Sequence, residues 1–191
     1  MTLYDAACAA IDRANAEDPK RHELPYSKWM VVWAGKLATN PSEELLLAVR
    51  AQHLRRWTLP RSNYPEGLKG YLEWRETLKK LHADQLGSIM KAAGYGEPSI
   101  AKARGLILRK NLSADPEGQM LEDAACLVFL EHEFADFAGK TAEEKVVDIL
   151  RKTWEKMSSR ARELALQLPL GKHEGDLVRR ALGGALPPAR S

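Results

Sequence analysis

Apolar residues recur along this chain with the 3.6-residue period of an α-helix, and no segment alternates as a half-buried strand would. Leu3, Ala7, Ala10, Ile11 and Ala14 share one side of a first predicted helix, which runs to about Ala16 and is ended by Pro19 and the charged DPKRHE run. A second helix starts after Pro25, carries Trp29, Val32, Trp33 and Leu37, and stops before Pro41. Ser42 is a suitable N-cap for a third, with Glu43 and Glu44 in the first turn, and the pattern extends to about Trp57. The segment TLPRSNYPEGLKG, Thr58 to Gly70, reads as a loop because it holds two prolines and two glycines. A long helix follows from Tyr71 to about Ala93, closed by Gly94, and another spans Pro98 to Lys110. The most apolar stretch, Gln119 to Phe137, reads as the central helix. A charged helix from Ala142 to about Met157 and a short one to Leu168 complete the series. The pattern predicts an all-α, single compact multi-helix domain over 1–170. The Gly-, Pro- and Arg-rich tail 171–191 is expected to be mobile or loosely docked.

Composition narrows the class without changing the fold. The chain has 191 residues, 45% hydrophobic and 29% charged, ordinary values for one globular domain. No run approaches the ~18 apolar residues of a membrane span. The segment MTLYDAACAAIDRANAED lacks a basic leader and is interrupted by Asp5 and Asp12, so no export signal is predicted and a reducing, cytoplasmic location is expected. Cys8 and Cys126 are therefore read as buried thiols. A net charge of +3 is too small to point to a nucleic-acid-wrapping domain. Local clusters say more: Arg55, Arg56 and Arg61, then Lys79 and Lys80, then Arg109 and Lys110.

Three ionisable residues intrude on apolar stripes. His53 follows Leu46 and Val49 and precedes Trp57 at helical spacing, and His82 sits likewise among Leu78, Gln85 and Ile89. Asp123, with Glu122 beside it, opens the nearly apolar LEDAACLVFLE. Two imidazoles and a carboxylate facing inward from three helices can hold a divalent cation (zinc, manganese or iron). The alternative is that each histidine is a hydrogen-bonded core residue and the two acids complement a helix dipole. No HExxH, paired CxxC, EF-hand, GxSxG or phosphate-cradling GxxxxGK[ST] motif occurs.

The stretch QHLRRWTLPRSNYPEGLKGYLEWR, which begins one residue before His53, mixes arginines with tyrosines and tryptophans. Guanidinium forks match phosphate or carboxylate bidentately, and interleaved aromatics can stack on a ring. The alternative is that the tryptophans anchor the core and the arginines solvate a loop.

The strings RAQHLRRW, GYLEWR, LKKLHAD, EGQMLEDAACLVFLEHEF and ILRKTWEKMS resemble an uncharacterised helical family, a domain of unknown function sometimes labelled glutamyl-tRNA-synthetase-like. The resemblance runs from about Leu3 to Leu168. A synthetase needs a nucleotide-binding α/β core, and no βαβ pattern is present. The family is in turn distantly similar to the all-helical HD-domain metal-dependent phosphohydrolases. In that pattern the central His matches His53, the later His matches His82 and the distal Asp matches Asp123. The Asp of the central pair is replaced by Leu54, and the early His has only Tyr26 or Ser27 opposite it, with His22 upstream. The resemblance implies a divalent metal (Mn, Zn or Fe) on His53, His82 and Asp123, helped by Glu122 or Glu131. It also implies substrate contact by Arg55, Arg56 and Arg61, with Lys80 as a lesser candidate.

Two functions follow as expectations. One is a divergent HD-like, metal-dependent hydrolase of a phosphorylated small molecule or nucleotide. The other is a metal-free nucleotide- or anion-binding domain without catalysis. RNA binding through the basic loop and tail is a third reading. Nothing in the sequence fixes an oligomeric state.

Overall fold

The computed structural model describes residues 1–109 and 115–184, and all the regular structure among them is helical. Two compact units follow one another along the chain, Met1–Leu121 and Glu122–Ser191. No helix among the described residues is long and apolar enough to cross a membrane. Cys126 is buried and Cys8 is half-buried.

The first unit holds α1 (Leu3–Ala16), α2 (Glu23–Leu37), α3 (Glu43–Arg50), α4 (Gly67–Ala93) and α5 (Glu97–Leu108). Thr2 and Asp5 cap α1 reciprocally, and Ser42, the N-cap expected from the sequence, caps α3 through the Leu45 N–H. The helices α1, α2, α3 and α4 bury Ile11, Met30, Leu47 and Leu86 completely. Arg50 ties α3 to α1 through both oxygens of Asp12, at 2.6 and 2.7 Å.

Two of the boundaries that differ from the sequence reading bear on function. Helix α2 starts at Glu23, not after Pro25, because proline is tolerated in a helix's first turn and Asp18 supplies the start. The Asp18 carboxylate accepts from the backbone N–H groups of Lys20, His22 and Glu23. Helix α3 ends at Arg50, short of Trp57. Residues 51–55 form a tight turn, Arg55 is left-handed at φ +53°, and a 3₁₀ turn covers Arg56–Thr58. The Leu54 carbonyl, which a continuing helix would give to the N–H of residue 58, accepts from the His82 ring instead.

The loop after this turn is ordered by its own side chains. It carries a second 3₁₀ turn, Arg61–Asn63, and α4 begins at Gly67, earlier than the expected Tyr71. A Cβ on Gly70 would lie 2.0 Å from the Pro65 carbonyl oxygen, so only glycine lets the loop close on the helix.

The second unit contains the end of α6 (Pro116–Val128), a π-helical turn at Phe129–Glu133, α7 (Phe134–Gly139), α8 (Glu143–Lys156), α9 (Ser159–Ala165) and α10 (Lys172–Ala181). The continuous helix expected over Gln119–Phe137 is thus broken by one widened turn. Within the expected tail, Lys172–Ala181 is helical and buries Leu177 and Val178 against its own unit. Residues 185–191 of that tail, and Lys110, lie outside the described residues. An apolar cavity of about 120 Å³ lies among Leu130, Leu150, Trp154, Val178 and Leu182.

Candidate functional site

The start of α2, the turn after α3 and the first half of α4 bring together Glu23, Tyr26, His53, Arg56, Trp74 and His82. His53 is the hub. One ring nitrogen, Nδ1, lies 3.1 Å from the Glu23 carboxylate, and the other, Nε2, lies 2.7 Å from an Arg56 guanidinium nitrogen. Arginine can only donate, so Nε2 accepts, the ring proton sits on Nδ1, and that N–H donates to Glu23. Tyr26 lies flat on the imidazole, ring centroids 3.8 Å apart and planes within 9°. The side chains of His53 and Glu23 are 15% and 9% exposed, so the pair is nearly but not fully closed to solvent.

Arg56 is held from a second side. Its guanidinium lies 5.0 Å from the centroid of the buried Trp74 ring, a cation–π contact. Trp74 is itself fixed by its indole N–H, which donates to the Leu59 carbonyl at 2.9 Å. Among the described residues, the bond to His53 is the one hydrogen bond Arg56 makes, out of five N–H donors. The residue is half-buried, so its other donors are not consumed by hydrogen bonds to the described residues.

Burial sets the proton affinities. It pushes the Glu23 carboxyl up to about 7, helped by Asp18 and opposed by the positive charges of Arg56 and His22. His22 Nδ1 stands 3.9 Å from that carboxylate. His53 is driven well below the usual histidine range by burial, then by the charges of Arg56, His22 and Arg75. Burial also pushes His82 down to about 3, with His53 adding to the effect and the Leu54 carbonyl opposing it. Both imidazoles are therefore neutral at physiological pH, and Arg56 and Arg75 supply the positive charge felt at His53.

The other residues singled out by sequence fall into different roles. Arg55 points to Glu17, at 3.0 Å. Arg61, expected to swing inward, donates to the carbonyls of Tyr64 at 2.9 Å and Pro65 at 2.8 Å, and so clasps its own loop. Lys80 is exposed on α4. In the second unit, the buried Asp123 carboxylate accepts from the Ser158 backbone N–H at 2.9 Å, at the start of α9. Glu122 is buried with Lys156 3.9 Å from it.

The donor set does not fit the implied metal. Among the described residues no group of three or more His, Cys, Asp or Glu side chains is placed to hold a metal ion. Both nitrogens of His53 are engaged, and the one that would face a cation faces a guanidinium.

Glu23, Trp74 as the support of Arg56, and Arg75 are the residues that sequence reasoning missed as parts of this site. The signal for Glu23 was present: it lies three, four and seven residues before the buried Tyr26, Ser27 and Met30, on the inward stripe of α2.

A family model described as "domain of unknown function (DUF4202)" matches residues 5–178. No curated protein and no solved structure matches the chain.

Proposed function

Because the chain belongs to that family, whose description assigns no chemistry, we propose from the site itself that it binds the phosphate of a small phosphorylated molecule in the cytoplasm, with Arg56 as the anchor. The carrying observation is that Arg56 is braced by His53 and Trp74 and is half-buried, yet only one of its guanidinium donors is used in a hydrogen bond to the described residues. A guanidinium so placed meets phosphate oxygens in its own plane, and partial burial strengthens each bond. Arg75 adds positive charge, and the neutral His53 keeps its Nε2 lone pair to hold the Arg56 guanidinium. No metal is needed for this recognition.

Calorimetric titration with ribose 5-phosphate tests the reading. The wild-type protein should bind, and Arg56→Ala should weaken binding by about 1.5–3 kcal/mol, the usual worth of a charged hydrogen bond. Unchanged affinity with a large drop in melting temperature would make Arg56 a structural residue.

A second reading is hydrolysis of that phosphate ester, in the manner suggested by the resemblance to HD-domain enzymes. The observation favouring it is the Glu23 carboxyl, raised to about 7 and hydrogen-bonded to His53, where a general acid or base is most effective. Release of inorganic phosphate, lost in Glu23→Gln while ribose 5-phosphate binding persists, would support it. Stoichiometric metal in protein purified without an affinity tag would restore the metal-dependent form.

A further inference from the structure

Trp74, Leu78 and His82 are buried along one stripe of α4, and at the helix start Leu68, Tyr71 and Leu72 are 72%, 40% and 51% exposed, with Tyr71 next to that stripe and Leu68 and Leu72 further round the helix at 100° per residue. Exposed apolar side chains scattered singly need no explanation, whereas three grouped on two helical turns beside two arginines suit a binding surface. The group is joined to the anion site through rings. Tyr71 lies 6.0 Å from Trp74, centroid to centroid, and Arg56 covers Trp74 at 5.0 Å. Arg75 lies 5.7 Å from the Tyr71 ring and contributes the charge felt at His53. The apolar shelf is therefore bordered by the two cations of the phosphate site.

We propose that Leu68, Tyr71 and Leu72 form a shelf for the flat base of a nucleoside phosphate whose phosphate sits on Arg56. The inference rests on the phosphate-binding reading above and adds what the other end of the ligand must be. A sugar phosphate alone has no group that an apolar shelf would attract. A purine covers apolar surface and stacks on a tyrosine face, a contact that tolerates different bases because every base has a π-face. The charge pattern selects this occupant over a wholly apolar one, since desolvating Arg56 and Arg75 beneath an uncharged surface would be costly.

The test compares adenosine 5′-monophosphate with ribose 5-phosphate by calorimetry, on the wild-type protein and on Tyr71→Ala, Tyr71→Phe and Leu72→Ser. The wild-type protein should prefer the nucleotide by about tenfold or more, a ring's stacking worth. Tyr71→Ala and Leu72→Ser should remove most of that preference and leave ribose 5-phosphate binding unchanged, and Tyr71→Phe should keep it. Both positions are exposed, so melting curves should stay close to wild type. Equal affinity of the wild-type protein for both probes would overturn the shelf and leave the phosphate site standing. Failure to bind either probe would remove the phosphate reading and the shelf with it. A loss of self-association in Leu72→Ser, with no change in nucleotide preference, would assign the patch to a second copy of this chain and overturn the proposal.

Discussion

The Nε2 atom of His53 faces a guanidinium nitrogen of Arg56 at 2.7 Å, so the imidazole can only accept there and its proton must lie on the Glu23 side. Everything expected of the site depends on that direction. It makes Arg56 a fixed donor and His53 a neutral relay between a cation and a carboxyl.

Replacing Arg56 by Lys should fail to restore function. Lysine keeps the charge but loses the planar fork and most of the stacking on Trp74. Ribose 5-phosphate affinity should fall by about tenfold, roughly 1.4 kcal/mol, in a calorimetric titration. Near-wild-type affinity in the lysine variant would mean that charge alone, without geometry, recognises the anion.

The proton affinities predict how stability depends on pH. Glu23 is raised to about 7 from an ordinary 4.5, so the folded protein holds a proton that the unfolded chain releases. Its stabilising contribution is complete below about 4.5 and is lost as pH rises through 7. His53 and His82 are lowered, so theirs is present above the usual 6.5 and is lost on acidification. Glu23→Gln keeps an acceptor for His53 but cannot ionise. Its melting temperature relative to wild type should therefore rise between pH 5 and pH 8, and a constant difference would show that Glu23 titrates normally.

The loop beside the site should depend on two contacts with α4. Trp74→Phe removes the indole N–H that donates to Leu59 and should cost about 1 kcal/mol. Gly70→Ala drives a methyl into the Pro65 carbonyl and should cost about 1–3 kcal/mol. Both variants should be cleaved faster within residues 59–66 by a dilute protease.

In the second unit, Asp123→Ala leaves the Ser158 N–H without its carboxylate at the start of α9. Loss of a buried acceptor should destabilise the protein by about 1–3 kcal/mol in urea unfolding. Ribose 5-phosphate binding at the first unit should persist in the folded variant. Its loss would show that Asp123 serves the ligand.

The helices were legible in the sequence because each buries a stripe against its neighbours, and that stripe is written in the spacing of Leu, Val, Ile and Ala. His53 and Arg56 were also recoverable as neighbours, although the helix expected to carry both stops at Arg50. Hydrogen bonds from residues 54, 56 and 58 to carbonyls three back keep a helix-like pitch through the turn, so a three-residue spacing still brings the side chains together. What spacing could not reveal is which distant group meets them. Glu23 lies 30 positions before His53 and was read as part of a helix-breaking charged run, because an acid beside His22, Arg21 and Lys20 looks solvated in one dimension. Arg61 and Asp123 show the converse. Their types suit substrate and metal, but each has a backbone partner, Arg61 within its own loop and Asp123 at the start of α9, and no sequence pattern distinguishes a carbonyl or amide partner from a ligand.

Trp74 and His53 between them also decide when Arg56 gives up its freedom. A solvated arginine samples many rotamers, and stilling one on association typically costs about 0.5–1.5 kcal/mol. Here that loss falls on folding, because ring and imidazole hold the guanidinium before any anion arrives. The protein surrenders stability in advance so that capture carries little ordering penalty. Variants that loosen either brace should then bind with a more unfavourable entropy.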